Sequence, residues 1–366
     1  MEKCGSYFIT GFPGFLSAKL IEGIFKRDKN SRVNLLYIAS MSVRARRERE
    51  ELINSLGLED SQIKLFQGDI TKEQMGLNKD AWELLTEETA YVWHLAAIYD
   101  LAVERNLAYE INVVGTKNVN TFAESCVNII RYIYFSTAYV AGKRTGKLKE
   151  DELIKPVAFH NFYEETKYEA ETMVEALKED VPITIIRPGI VKGDSSTGET
   201  KKFDGPYFIM NMLFRLRYLP FIPSIKGSKA VVNLVPVDYV IKAVLYLSHE
   251  PVGLNRTYHL TDPKPYDVSA VYTEMMKQLI QRKPFGSIPI KLLSIILSQS
   301  SIRRFLGVEK EALDYFIWEG HFDCSNTLED LNGTDIICPD LMQGLPNMVH
   351  FYLNNKDRQE YHINIQ

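Results

Sequence analysis

The run Tyr7-Phe8-Ile9-Thr10-Gly11-Phe12-Pro13-Gly14-Phe15-Leu16-Ser17 constrains the fold of this chain more than any other segment. A short, β-favouring apolar stretch meets two glycines three residues apart. Leu16, Leu20, Ile21, Ile24 and Phe25 then recur at helical spacing. A strand that turns this sharply into an amphipathic helix leaves the helix N-terminus at the turn. Its unpaired N–H groups and positive dipole end attract an anion there. Gly11 permits the tight turn and Gly14 admits a pyrophosphate to the backbone; Phe12, Phe15 and Leu16 complete the candidate phosphate-binding set. Pro13 removes one N–H, and Ser17 stands where a third small residue packs helix on strand. The bland alternative is a strand-to-helix turn with no ligand.

The same alternation continues. Strands are predicted at 33–39, 63–67, 91–95, 132–135 and 183–186, and helices at 43–56, 106–126 and 162–179. The strands are near-continuous apolar runs, as in a parallel sheet covered on both faces. The predicted class is therefore α/β, a Rossmann-type doubly wound parallel sheet with a smaller, mostly helical C-terminal part. Residues 1–190 form the dinucleotide-binding domain. Residues 227–250 return to it through Leu234-Val235-Pro236-Val237-Asp238, and 191–226 with 251–366 shape a substrate-binding lid.

Tyr163 and Lys167 lie four apart on one predicted helix, and Thr137 ends the strand before it. A free phenol, with a pKa of roughly 10, is a poor proton donor or acceptor near neutrality. An ammonium beside it favours the phenolate, so Thr137, Tyr163 and Lys167 are the catalytic candidates. The alternative is an ordinary amphipathic helix. After the second strand no acid precedes Glu48, while Ser40 and Arg44 suit a 2′-phosphate. NADP(H) is therefore favoured over NAD(H), although these arginines also have glutamates at i+4 to pair with. Asp69 and Ile70 follow the third strand, with Asp69 placed either for an adenine amine or as a turn cap. Ala96 and Ala97 let the backbone pass close to a flat ligand, and His94 before them reads as a packed strand residue.

Thr10-Gly11-x-x-Gly14, His94-Leu95-Ala96-Ala97, Asn112, Ser136-Thr137, Tyr163-x-x-x-Lys167 and Arg187-Pro188-Gly189 occur in this order over about residues 5–250. With them the chain resembles the extended short-chain dehydrogenase/reductases. Gly11-Phe12-Pro13-Gly14-Phe15-Leu16, Arg187-Pro188-Gly189-Ile190-Val191-Lys192-Gly193-Asp194 and Val235-Pro236-Val237-Asp238-Tyr239 are similar to its male-sterility branch. That branch holds fatty acyl-CoA reductases and the thioester reductase domains of carboxylic acid reductases. The resemblance implies that Tyr163 donates a proton to a carbonyl oxygen and that Lys167 supports it and binds the nicotinamide ribose. It implies that Thr137 holds the substrate oxygen, Asn112 supports the site from behind, and Pro188, Gly189 and Ile190 line the nicotinamide pocket. It also implies a homodimer through the helices at 106–126 and 162–179.

Net charge is −4, which argues against a nucleic-acid partner. Four cysteines show no zinc spacing, so no metal site is expected. No signal-peptide pattern follows Met1 and no run of about 20 apolar residues exists, so a cytoplasmic protein without a transmembrane segment is expected. The apolar segments 203–222 and 288–297 line a lipophilic pocket or form the small domain's own core; contact of the second with a membrane surface is a further reading. The expected activity is NAD(P)-dependent interconversion of a carbonyl and an alcohol, or reduction of an acyl thioester, on a lipophilic substrate. A nucleotide-sugar epimerase or dehydratase and a non-catalytic dinucleotide sensor stay open as alternatives.

Overall fold

The computed structural model describes residues 5–226, 229–309, 314–315 and 317–362. Cys4 lies outside them, as does the Ile290 side chain. The first half alternates as β1 (Ser6–Thr10), α1 (Phe15–Arg27), β2 (Arg32–Tyr37), α2 (Ser42–Leu56), β3 (Ile63–Gln67), α3 (Lys79–Glu88) and β4 (Tyr91–His94). The long helix that follows has three parts: α4 (Arg105–Ala108), a π-helical stretch (Tyr109–Val114) and α5 (Gly115–Ser125). Next come β5 (Arg131–Phe135), β6 (Gly146–Leu148), α6 (Phe162–Ala176), β7 (Ile183–Pro188) and β8 (Ile190–Lys192). The remainder comprises α7 (Tyr207–Leu216), β9 (Ser224–Lys226), β10 (Val231–Val232), β11 (Leu234–Pro236), α8 (Val237–His249) and β12 (Arg256–Leu260). It ends with β13 (Tyr266–Asp267), α9 (Val268–Ile280), β14 (Ser287–Pro289), α10 (Ile290–Leu297), α11 (Ser300–Leu306), β15 (Gly320–Phe322), α12 (Ser325–Asp330) and α13 (Leu341–Asn355).

Seven parallel strands form the main sheet in the order β12-β7-β5-β4-β1-β2-β3. Side-chain alternation splits each strand between two cores. Ile9, Leu35, Ile133 and Ile186 pack beneath α1 and α8, with Leu20, Ile24, Val240 and Val244. Phe8, Leu36, Tyr132, Tyr134 and Ile185 pack on the other face against Val119 and Phe122 of α5 and Ala170 and Val174 of α6. Burial on both faces is why these strands read as continuous apolar runs. Strand order reverses at β1, between β2 and β4, which opens a crevice at the carboxyl ends of β1 and β4.

Two expectations are corrected. Leu234–Pro236 does not rejoin the main sheet but pairs with β8 in a separate two-stranded sheet. The edge strand of the main sheet is β12, inside the stretch expected to belong wholly to the lid. β12 reads Arg-Thr-Tyr-His-Leu, polar and apolar by turns, so it lacks the apolar run that marks the other strands. Its buried polar positions are covered from two sides: His259 Nδ1 faces the Asp323 carbonyl at 2.7 Å and its ring meets Phe322 of β15, while the Thr257 hydroxyl faces Glu175 Oε1 of α6 at 3.1 Å.

Most of the 203–222 segment is the second part's own core. Phe203, Tyr207, Phe208, Met210, Leu213 and Ile222 are buried against α9 and α13 through Met275, Met276, Leu345 and Tyr352. Tyr218 and Phe221, by contrast, are exposed, as are Leu292 and Ile295 of the second apolar run. No described helix is long and apolar enough to cross a membrane.

Candidate active site

The glycine turn sits at the mouth of the crevice. Gly11 has φ +85°, and a Cβ there would lie 2.8 Å from the Ala96 nitrogen, so the turn runs directly against the backbone after β4. A Cβ on Gly14 would lie 2.6 Å from the Gly11 carbonyl oxygen. Ser17 does more than fill a small space. The Gly14 N–H donates to Ser17 Oγ (3.0 Å), whose hydroxyl faces the carbonyls of Gly11 (3.1 Å) and Gly14 (3.0 Å). Thr10 Oγ1 accepts the Ala96 N–H (3.2 Å) and pairs with His94 Nδ1 (2.8 Å), fixing β1 to the strand end beside it. His94 is fully buried; desolvation, then the Lys167 charge, holds its pKa well below the usual value, so it is a neutral strand residue. A cradle that any Cβ would fill, at the N-terminus of a 13-residue helix, fits the pyrophosphate of a dinucleotide.

The other cofactor candidates line the same edge. Ser40 is exposed after β2. Arg44 reaches Glu48 (Nε to Oε1, 3.2 Å), the helical pairing that its spacing allowed. Asp69 Oδ1 accepts from the backbone N–H (3.0 Å) and hydroxyl (2.8 Å) of Thr71 and so caps a turn. Ile70 packs on Gly115 of α5, where a Cβ would lie 2.5 Å from its Cδ1. Gly189 follows β7, with its N–H on the Leu260 carbonyl (3.0 Å), and the Ile190 N–H reaches the Asn233 carbonyl (2.9 Å). Pro188 thus begins a backbone path held between two strands.

Thr137 lies two residues beyond β5, and its Oγ1 accepts the Tyr139 N–H at 3.3 Å. Asn161 caps α6 by accepting the Glu164 N–H (3.0 Å), which fixes the turn carrying Tyr163. Burial pushes the Tyr163 phenol up to about 12, and a hydrogen-bond interaction with the Thr137 side chain opposes that rise. Lys167 points inward instead. Its Nζ donates to Tyr134 Oη (2.8 Å) and the Phe135 carbonyl (2.7 Å). Burial lowers its pKa to about 7, partly offset by Glu171. The expected lowering of the phenol's pKa by a neighbouring ammonium is therefore corrected. A buried ammonium needs acceptors, and Lys167 finds them on β5. Asn112 joins the site from behind: Oδ1 accepts the Ile98 N–H (2.9 Å), and Nδ2 donates to the Ile98 carbonyl (3.1 Å) and Thr166 Oγ1 (3.0 Å).

Two buried carboxylates support this arrangement and were not anticipated. Glu171 Oε1 accepts Arg187 Nε (2.8 Å) and Nη2 (2.5 Å), while Oε2 accepts the Ser136 hydroxyl. That pair ties α6 to the residues just before Thr137 and Pro188. Glu164 accepts the Tyr315 hydroxyl (2.6 Å) and the His160 backbone N–H (2.9 Å), locking the first turn of α6 to the C-terminal part. A glutamate inside a helix carries no local sign of burial; Arg187 lies 16 residues from Glu171 and Tyr315 lies 151 residues from Glu164.

Among known proteins, an L-2-aminoadipate reductase large subunit of Eremothecium gossypii is 27% identical over 268 residues, 67% of this chain and 19% of that protein. An aldehyde reductase of Aspergillus flavus is 24% identical over 276 residues, 71% of this chain and 26% of that protein. The chain thus spans about a quarter or less of the length of these curated relatives. In structure it is similar to the terminal R domain from the myxalamid PKS-NRPS biosynthetic pathway, with TM-score 0.81 and 25% identity, covering 98% of this chain and 93% of that one. A UDP-glucuronic acid 4-epimerase of Bacillus cereus shares the fold at TM-score 0.64 and 16% identity, covering 95% and 99% of the two chains. The family model described as Male sterility protein matches residues 9–244, which contain the glycine cradle, Thr137, Tyr163, Lys167 and the strands that carry them. The chain belongs to that family, a branch of the extended short-chain dehydrogenase/reductases.

Proposed function

We propose that this protein is an NADP(H)-dependent reductase of an aldehyde or acyl thioester on a lipophilic substrate. The observation that carries the reading is Tyr163, beside the Thr137 side chain and one helical turn from Lys167, on the strand-end edge that holds the glycine cradle. The bound dinucleotide supplies the hydride. With its pKa near 12 the Tyr163 phenol keeps its proton through the neutral range, which suits donation to a carbonyl oxygen as negative charge develops. Thr137 holds that oxygen by its hydroxyl. Lys167, with a pKa of about 7, exchanges protons at neutral pH within the same buried wall. Residues 191–226 and the helices after β12 form the lid over the substrate. The names of the aligned relatives, an aldehyde reductase and an aminoadipate reductase, support reduction over sugar epimerisation. Dimerisation through the helices at 106–126 and 162–179 belongs to the same reading. The test is oxidation of NADPH with a panel of aldehydes and acyl-CoA thioesters of increasing chain length. Turnover that rises with chain length is expected. Activity only on a nucleotide sugar, with no net cofactor change, removes the proposal.

A further inference from the structure

The segment 193–206 crosses the crevice from one side to the other. It leaves β8, which continues from β7, and is anchored by Ser195, whose N–H and hydroxyl both donate to Asp238 (2.8 and 2.7 Å). It is anchored again at Phe203, buried among Tyr207, Tyr352 and Tyr361. Between the anchors, Lys201 Nζ reaches Glu48 Oε1 on α2 (2.9 Å), and Lys202 Nζ reaches Tyr99 Oη in the loop after β4 (2.8 Å). From β7 to β2 is four strand steps, about 19 Å at the usual spacing of roughly 4.8 Å. The strap therefore runs along the sheet edge where ligands of such folds bind.

Its far end is electrostatically unbalanced. Arg44 and Lys201 converge on one oxygen of Glu48, so two cations share a single negative charge. Glu48 is 6% exposed, and its second oxygen is buried with no hydrogen-bond partner. That oxygen is closed off from an incoming ribose hydroxyl, so Glu48 acts as a counter-ion that keeps the two cations side by side. A phosphate dianion offers several acceptor oxygens and twice the charge, and complements such a pair better than one carboxylate oxygen does.

We propose that Lys201, delivered by the strap, joins Arg44 in recognising the 2′-phosphate of NADP(H) and is a determinant of cofactor specificity. This rests on the reading of the protein as NADP(H)-dependent. The experiment is a binding titration of the whole chain, without substrate, with NADPH and with NADH, for the wild type, Lys201→Ala and Glu48→Gln. Loss of one charge-assisted contact is expected to weaken NADPH binding by about tenfold or more in Lys201→Ala, with NADH affinity unchanged. The gap between the two cofactors should narrow with added salt. Glu48→Gln should keep the preference. A wild type that prefers NADPH while Lys201→Ala weakens both cofactors equally, or neither, overturns the assignment of Lys201 and leaves the NADP(H) reading standing. Selective loss of NADH binding in Glu48→Gln makes Glu48 a ribose acceptor and also overturns the assignment. A wild type without preference removes both the assignment and the NADP(H) reading.

Discussion

Glu171→Ala should destabilise this protein more than any surface change. Glu171 and Arg187 are 0% and 1% exposed, and the carboxylate meets the guanidinium through two hydrogen bonds. Arg187 otherwise touches the Glu150 carbonyl (3.1 Å) and His259 Nε2 (3.2 Å). Burial, followed by the guanidinium charge, lowers the His259 pKa to about 3, so the imidazole is a neutral neighbour of the guanidinium. Removing the carboxylate leaves a buried, uncompensated cation, a loss of about 3–5 kcal/mol. At roughly 2.1 cal/mol/K of unfolding entropy per residue, a cooperative unit of this length shifts in Tm by about 4–6 °C. Urea and thermal denaturation of the single variant, and of Glu171→Leu combined with Arg187→Met, measure it. The double variant should recover at least half of the loss, because a well-packed apolar pair replaces a desolvated ion pair at little cost. Equal losses in single and double variants would refute the reasoning, since the damage would then come from packing and not from an orphaned charge.

Two further outcomes are expected. Gly14→Ala puts a Cβ 2.6 Å from the Gly11 carbonyl, so the cradle must shift; dinucleotide affinity should fall by about an order of magnitude, read by fluorescence titration, with far-UV circular dichroism unchanged. Lys167 titrates at about 7 when folded and near 10.4 in the unfolded chain, so the unfolded state binds the extra proton between those values. The burial penalty is therefore complete below pH 7 and is relieved as pH rises. Wild-type stability should gain on Lys167→Met between pH 6 and 9 by urea midpoint, and a constant difference would contradict this.

The alternation of apolar runs with helical spacing made the parallel sheet legible, because strands buried on both faces have no polar side to hide. The glycine cradle was legible for a different reason: its backbone geometry permits few other residues. β12 was not, since the partners that bury its polar Thr257 and His259, Glu175 and the Asp323 carbonyl, lie far along the chain and leave no sign in the local pattern. Thr137, Tyr163 and Lys167 could be picked out by spacing, but the inward turn of Lys167 depends on Tyr134 and the Phe135 carbonyl. Glu164 and Glu171 resembled the charged face of an ordinary helix. Their burial follows from Tyr315 and Arg187, partners that only the assembled fold supplies.

The most direct measurement is single-turnover oxidation of bound NADPH by the best substrate of the panel, for wild type and Tyr163→Phe, beside the cofactor affinity of each. The variant removes one hydroxyl and little volume. A fall in the hydride-transfer rate of about a hundredfold or more, with NADPH affinity kept, is expected of a proton donor. An unchanged rate would show that Tyr163 gives no proton in the reaction.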